Sequence, residues 1–177
     1  MQKYGTFPIL ALLGALILSG CAATTKPDAY AALNLKNIKD VPEVTQLLMK
    51  KADRKLYLLH GDKVVRAYDI DLGFNPEGHK LQQGDGRTPE GLYYIDRRNP
   101  QSRFHRSIGI SYPNAQDRAQ ARKRGVSPGG DIFIHGEAKW AANSGRDWTW
   151  GCAALPDEKM NEIWALVPVG TPIMITR

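Results

Sequence analysis

The chain has 177 residues, of which 42% are hydrophobic and 24% are charged, which is enough for one domain with a hydrophobic core. It carries 24 lysine and arginine residues against 18 aspartate and glutamate residues, so its formal net charge is +6. A basic surface favours anionic partners such as nucleic acid, lipid head groups or the acidic cell wall, and nothing in the composition calls for a second domain.

An apolar run extends from Phe7 to Leu18. It is too short to span a bilayer comfortably, which favours a signal peptide over residues 1–20. At its end, Leu18-Ser19-Gly20-Cys21 resembles the lipobox at which bacterial signal peptidase II cuts before a cysteine that receives lipid. The alternative is a signal peptide followed by a cysteine without such a role. On the first interpretation Cys21 is lipidated, and each methylene buried in the membrane contributes about 0.8 kcal/mol to anchoring.

The residue after Cys21 bears on the destination of the protein. Ala22, rather than an aspartate, predicts the outer membrane by the usual sorting rule for lipoproteins. We therefore expect a periplasmic protein held at the outer membrane by its lipid anchor. Export also argues against nucleic acid as a partner.

The chain contains two cysteines, and lipidation of Cys21 would use one of them. Cys152 is then a lone thiol in an oxidising compartment, where unpaired thiols are seldom kept without a use. The alternative is a buried, inert cysteine.

The remaining sequence predicts one mainly β domain. Residues 21–50 are expected to form a lipidated tether with a short helix near 44–50, and residues 51–177 the catalytic domain. Two β-rich runs flank Gly61-Asp62 and predict a hairpin. The hairpin strands and the further predicted strands cover residues 55–59, 63–70, 92–95, 107–111, 131–134 and 171–175.

Two helices are predicted around these strands. Pro156 opens a helix whose apolar residues lie at helical spacing and form part of the core; they are Met160, Ile163, Trp164 and Val167. The Arg-rich segment 116–124 is also predicted to be helical, either as a solvated face or as a patch that contacts the cell wall. The absence of βαβ alternation favours a mainly β fold with peripheral helices.

His135 and Cys152 are the residue types that an acyltransferase needs. His135 ends a β-run that follows Pro128-Gly129-Gly130, and Cys152 precedes the helix that begins near Pro156. An imidazole can take the thiol proton, and a nearby helix N-terminus would lower the thiol pKa. A Cys–His pair implies acyl transfer or hydrolysis through a thioester, although such a pair alone does not identify an enzyme.

The sequence around both residues resembles the signature of the L,D-transpeptidase catalytic domain of the YkuD type. Ile132–Gly136 reads as a strand that delivers His-Gly, and Thr149–Cys152 fits the downstream [S/T]-x-G-C pattern. The resemblance extends to the turn Thr88–Gly91 and to the closing Gly170–Pro172, and covers most of the chain from about Lys55 to Ile175. It implies a β-sandwich or barrel-like fold with a helix after the catalytic cysteine.

The resemblance also implies roles for individual residues. Cys152 would be the nucleophile and His135 the acid/base. The Thr149 region would orient the imidazole, and the amides of Gly151 and Cys152 would form the oxyanion hole.

Substrate contacts follow less directly from the resemblance. Gly136 and Trp150 are expected to contact substrate, although many members have His or Arg in place of Trp150. Many also have Arg or Asn in place of Ala154, and a bulkier apolar residue in place of Ala153. The contacts to a substrate carboxylate that the family assigns to the position of Ala154 therefore do not carry over to this chain. Arg146 is a candidate replacement as an anion contact, or else a plain surface arginine.

Three tryptophans, Trp140, Trp148 and Trp150, lie close together in the sequence and are expected either to wall the cleft or to pack the loop onto the sheet. The other histidines, at positions 60, 79 and 105, have no ligand-like spacing to each other or to Cys152. We therefore expect no metal and no cofactor.

The resemblance implies an enzyme that acts on peptidoglycan stem peptides as acyl donor and amine acceptor. Cys152 would attack a peptide carbonyl next to a D-centre, release D-Ala and pass the acyl group to an amine of a second stem or of a lipoprotein. Carbapenem β-lactams are expected inhibitors. The alternatives are an L,D-endopeptidase or amidase that uses water as acceptor, and a catalytically idle lipoprotein that only binds peptidoglycan.

Overall fold

The structure is a computed structural model that describes residue 1, residues 37–137 and residues 145–177. Several predictions concern segments outside the described residues. These are the signal peptide beyond Met1, the lipidation site Cys21, the larger part of the tether, and Trp140.

The described part of the chain contains eight strands and two α-helices, after a short 3-10 helix at Ile38–Asp40. The strands are β1 Gln46–Lys50, β2 Lys55–His60, β3 Lys63–Asp69, β4 Gly91–Ser102, β5 His105–Ile110, β6 Phe133–His135, β7 Ala153–Ala154 and β8 Pro172–Thr176. The helices are α1 Ala115–Arg124 and α2 Asp157–Leu166. Neither of these helices is long and apolar enough to cross a membrane.

The strands form one sheet in the order β3-β2-β1-β8-β4-β5-β6-β7. The pairs β1–β8 and β6–β7 are parallel, and the other neighbours are antiparallel. The long strand β4 belongs to both halves of the sheet, because Gly91–Tyr94 pairs with β8 and the following residues pair with β5. Beyond β3, Asp71 exchanges two backbone hydrogen bonds of 2.8 Å with Ala154 in β7. The two ends of the sheet therefore meet, and the predicted mainly β, barrel-like fold with peripheral helices is confirmed.

The helix predicted near residues 44–50 is wrong, because Gln46–Lys50 is strand β1 between β2 and β8. Leu47 and Met49 are buried and alternate with more exposed neighbours, which is the period of a strand with one face on the core. Leucine and methionine have high helix propensity, and the pairing of this segment with β2 and β8 overrides that preference. The folded domain therefore begins before the expected boundary at residue 51.

The predicted hairpin, the later strands and both helices are confirmed with shifted ends. Gly61 turns the chain between β2 and β3 with φ of 60°, a conformation that glycine adopts without steric cost. α1 begins with a capping box, in which the Asn114 side chain accepts from the Asp117 N–H and the Asp117 side chain accepts from the Asn114 N–H. α2 buries Met160 and Ile163 against the sheet, as their spacing predicts.

Candidate active site

Cys152 and His135 reach one cavity because they lie at the ends of two neighbouring parallel strands. His135 is the last residue of β6, and Cys152 directly precedes β7, whose Ala153 is in register with Ile134. Both side chains line a cavity of about 320 Å³. The fold thus brings together the two residues that the sequence singled out.

The Cys152 thiol makes two hydrogen bonds, one to a residue of β6 and one to a residue that precedes β6. Sγ accepts from the Phe133 N–H at 3.4 Å and donates to the Asp131 carbonyl at 3.6 Å. Burial raises the pKa of Cys152 to about 11, and the Phe133 N–H offsets only part of this effect. The expected lowering by a helix N-terminus is wrong here, since α2 begins at Asp157 and desolvation dominates.

His135 is held as a neutral imidazole with one defined tautomer. Its Nδ1 lies 2.7 Å from the Gly136 carbonyl oxygen. Because a carbonyl only accepts, Nδ1 carries the proton and Nε2 keeps a lone pair for use as a base. Burial lowers the pKa of His135, although the hydrogen bond to Gly136 opposes this shift. The resting pair is therefore a protonated thiol and a neutral imidazole.

Two aromatic rings fix the plane of the imidazole. Phe104 stacks on it with centroids 4.5 Å apart, and Trp148 meets it at 66° and 5.8 Å. Trp148 thus packs its loop onto the sheet through the imidazole of β6, which is the packing role considered for it. Within the described residues the thiol and the imidazole share no hydrogen bond. Proton transfer therefore requires the thiol to turn away from the Asp131 carbonyl.

Thr149 fixes the loop that carries the thiol rather than the imidazole. It is 1% exposed, its hydroxyl donates to the Cys152 carbonyl at 2.8 Å, and it accepts from the Gly151 N–H at 3.1 Å. The Thr149 hydroxyl does not orient His135 itself; the adjacent Trp148 is the part of this region that contacts the imidazole. The Gly151 amide is already used, whereas the Cys152 N–H has no acceptor among the described residues and is the amide left for an oxyanion.

Gly136 is a positioning residue in this structure. Its carbonyl sets the His135 tautomer, and its N–H donates to the Phe104 and Arg106 carbonyls at 3.0 and 3.2 Å. A Cβ added here would lie 2.4 Å from an Asp157 carboxylate oxygen and 3.0 Å from the Phe104 carbonyl oxygen, so a larger residue would crowd both. A direct substrate contact, as the sequence led us to expect, does not match this buried position.

Trp150 and Arg146 have different surroundings. Trp150 is 72% exposed, packs edge-on against Phe74 at 5.0 Å, and lines a second cavity of about 400 Å³ together with Cys152. This position fits the expected substrate contact. Arg146 instead lies 3.9 Å from Asp71 and lines a separate cavity that contains neither Cys152 nor His135. It is therefore poorly placed as the anion contact that we considered.

Two charged pairs near the site escaped the sequence analysis. Asp147 accepts from the Arg54 guanidinium at 2.8–3.0 Å and from the Leu72 N–H at 2.9 Å, which ties the cysteine loop to the sheet. Buried Lys80 lines the second cavity and donates to Asp85 at 2.8 Å. The Arg54–Asp147 pair spans 93 positions, so no local pattern indicates it.

No cluster of three or more His, Cys, Asp or Glu side chains suited to a metal ion occurs in the described ranges.

The comparison with protein families decides what this arrangement belongs to. Residues 45–175 match the model of the L,D-transpeptidase catalytic domain, YkuD. The chain belongs to this family. The match begins one residue before β1, in agreement with the earlier start of the domain.

Relatives of this YkuD domain extend beyond it. The Escherichia coli K12 protein named "Putative L,D-transpeptidase YafK" is 29% identical over 172 residues, which are 94% of this chain and 64% of that protein. The crystal structure of the helical cell shape determining protein Pgp2 from Campylobacter jejuni matches with a TM-score of 0.59 and 25% identity over 76% of this chain and 48% of that one. The chain thus spans less than two thirds of either relative.

A third comparison concerns the fold alone. The Ldtfm–avibactam carbamoyl enzyme matches with a TM-score of 0.53 at 18% identity, over 77% of this chain and 50% of that chain.

Proposed function

We propose that this YkuD domain is a cysteine-dependent L,D-transpeptidase of peptidoglycan stem peptides, with Cys152 as nucleophile and His135 as base. The observation that carries the proposal is the neutral imidazole, whose Nε2 lone pair no described residue uses, in the same cavity as the only described thiol. The family and the geometry support the same chemistry, because acyl transfer needs a nucleophile and a base within reach of one carbonyl.

The reaction then follows from the positions of the groups. Nε2 takes the thiol proton while Sγ attacks the peptide carbonyl carbon, and the Cys152 N–H donates to the oxyanion. Nε2 returns the proton to the leaving nitrogen, the C–N bond breaks, and a thioester remains. An acceptor amine attacks the thioester, loses a proton to Nε2, and Sγ leaves with that proton.

Transfer to an amine is favoured over hydrolysis by the space around the thiol. Cys152 lines both the cavity of about 320 Å³ with His135 and the cavity of about 400 Å³ with Trp150. Two cavities that meet at one sulfur suit a donor and an acceptor peptide. The acceptor, either a second stem or a lipoprotein lysine, is part of the proposal.

Defined muropeptides test the proposal. Purified protein incubated with tetrapeptide stems should yield dimers and free D-Ala by mass spectrometry, and Cys152→Ala should yield neither. Shortened stems without dimers would instead support the alternative of a hydrolase that uses water as the acceptor. No turnover, together with binding to peptidoglycan, would support the idle wall-binding lipoprotein.

A β-lactam supplies a second test, because a strained lactam carbonyl resembles the acyl donor. The Ldtfm–avibactam carbamoyl enzyme, which has a similar fold, is itself a covalent adduct with an electrophilic inhibitor. We expect one carbapenem adduct on the parent protein and none on Cys152→Ala. A folded parent whose thiol reacts with iodoacetamide but never with excess carbapenem would contradict the transpeptidase assignment.

We also propose that the protein is a periplasmic lipoprotein of the outer membrane. Support comes from Leu18-Ser19-Gly20-Cys21 after the apolar run and from Ala22. Cys21→Ala should accumulate as an unprocessed precursor, and processing or fractionation like the parent would refute the anchor.

The similarity to the cell shape determining protein Pgp2 adds a role in cell shape to the proposal. The morphology of a deletion strain tests this role.

A further inference from the structure

Within residues 37–137 and 145–177, the candidate site lacks an obvious cation for a substrate carboxylate. The family position that often holds Arg or Asn is Ala154, which is buried here. Arg146 lies in a different cavity. Lys80 lines the Trp150 side, but its ammonium is buried and paired with Asp85. Among the described side chains, a different positive charge is therefore needed for a peptide carboxylate.

The hairpin of β4 and β5 carries four arginines close to the site, and three of them have partners within the protein. Arg97 pairs with Asp96 and Asp131 at 2.8 and 3.1 Å. The guanidinium groups of Arg98 and Arg106 lie 4.0 and 5.3 Å from the centroid of the Trp164 ring. These three side chains are committed to the fold.

Arg103 is the exception among the four. It is exposed at the turn between β4 and β5, and it lines the cavity that contains Cys152 and His135. In the described part of the chain its guanidinium makes no hydrogen bond or ion pair. An arginine without a partner beside a candidate nucleophile is available to a ligand.

The turn that carries Arg103 packs against the imidazole of His135. The next residue, Phe104, stacks on the His135 ring, and its N–H donates to Ser102 Oγ at 3.1 Å. The Phe104 carbonyl accepts from the Gly136 N–H at 3.0 Å. The backbone of Arg103 is therefore fixed relative to the imidazole, and only its side chain needs ordering when a ligand binds.

We propose that Arg103 binds a carboxylate of the acyl-donor peptide, an inference that rests on the proposed transpeptidase function. A guanidinium binds a carboxylate through two parallel hydrogen bonds, which orients the peptide as well as attracting it. The carboxylate has two possible sources on a tetrapeptide stem. One is the terminal carboxylate of the leaving D-residue, and the other is the free carboxylate of the diamino acid whose carbonyl is attacked.

Thiol alkylation tests the cation independently of the natural substrate. Iodoacetate carries a carboxylate and iodoacetamide does not, so the ratio of their rates at Cys152 reports a positive charge near the sulfur. Arg103→Gln should lower this ratio about two- to fivefold, while Arg103→Lys should retain most of it. Arg122→Gln is the matched control, because Arg122 is exposed on α1 and does not line this cavity. An unchanged ratio in Arg103→Gln would overturn the proposal even if the protein had no transpeptidase activity.

Donor peptides then identify the carboxylate. With the tetrapeptide, Arg103→Gln should raise KM about tenfold and lower kcat much less, because binding is lost and the Cys–His pair is retained. Two further donors each have one carboxylate amidated, either at the terminus or on the diamino acid. On the donor that lacks the bound carboxylate, the parent and Arg103→Gln should have the same KM. Equal KM values for parent and Arg103→Gln on all three donors would refute donor binding. Matching circular dichroism and urea midpoints would exclude a folding defect.

Discussion

Replacing Thr149 by valine tests the loop that holds the thiol. Valine has nearly the same shape but no hydroxyl, so the Cys152 carbonyl and the Gly151 N–H both lose their partner at a site that is 1% exposed. A buried polar group left without a partner costs about 1–3 kcal/mol. We therefore expect Thr149→Val to lower the free energy of unfolding by about 2–4 kcal/mol.

Thr149→Ser is the matched control, because it keeps the hydroxyl and removes only a methyl group, at about 1 kcal/mol. Urea unfolding followed by tryptophan fluorescence measures both variants against the parent. Valine should be less stable than serine by at least about 1 kcal/mol. It should also speed alkylation of Cys152 at pH 8, since a loosened loop admits water and lowers the raised thiol pKa. A valine variant as stable as the serine variant would refute this account of the loop.

Three further predictions concern the surroundings of the site. Because burial lowers the pKa of His135, the unfolded chain binds its proton first, and stability should fall below pH 6.5 by up to about 1.4 kcal/mol per pH unit. Urea midpoints at pH 7 and pH 5 should show a smaller fall for His135→Gln than for the parent. Asp147→Asn should cost about 1–3 kcal/mol at pH 7, because the amide keeps one acceptor oxygen but loses the negative charge and the second oxygen that accept from Arg54. Equal urea midpoints for Asp147→Asn and the parent would contradict this. Trp150→Ala should change stability by less than about 1 kcal/mol, because the side chain is exposed, yet slow acyl transfer to an amine; unchanged transfer would remove Trp150 from the acceptor site.

The sequence predicted the parts of the fold that local pattern controls. The hairpin at Gly61, the strand that ends at His135 and the helix after Pro156 each have turn residues or periodicity within a few positions. β1 was missed because its leucine and methionine residues favour a helix in isolation, and pairing with β2 and β8 overrides that preference. β7 was missed because it has only two residues and takes its structure from its neighbours.

The candidate site was predictable in identity but not in electrostatics. The resemblance to the family motif predicted that Cys152 and His135 belong to one site, and the cavity that both residues line agrees with that prediction. The thiol pKa depends on burial, which only the folded chain defines, so the expected lowering became a rise. The carbonyl of Gly136 and the hydroxyl of Thr149 have roles that depend on exact distances, which sequence spacing does not supply.

The central position of β1 limits how this protein can be shortened. A fragment that starts at residue 51 would lack the strand that lies between β2 and β8. Both neighbours would then present open edges with unpaired N–H and C=O groups, and such edges recruit strands from other molecules. We expect that fragment to aggregate on expression, whereas one that starts near residue 37 keeps the sheet closed and should remain monodisperse.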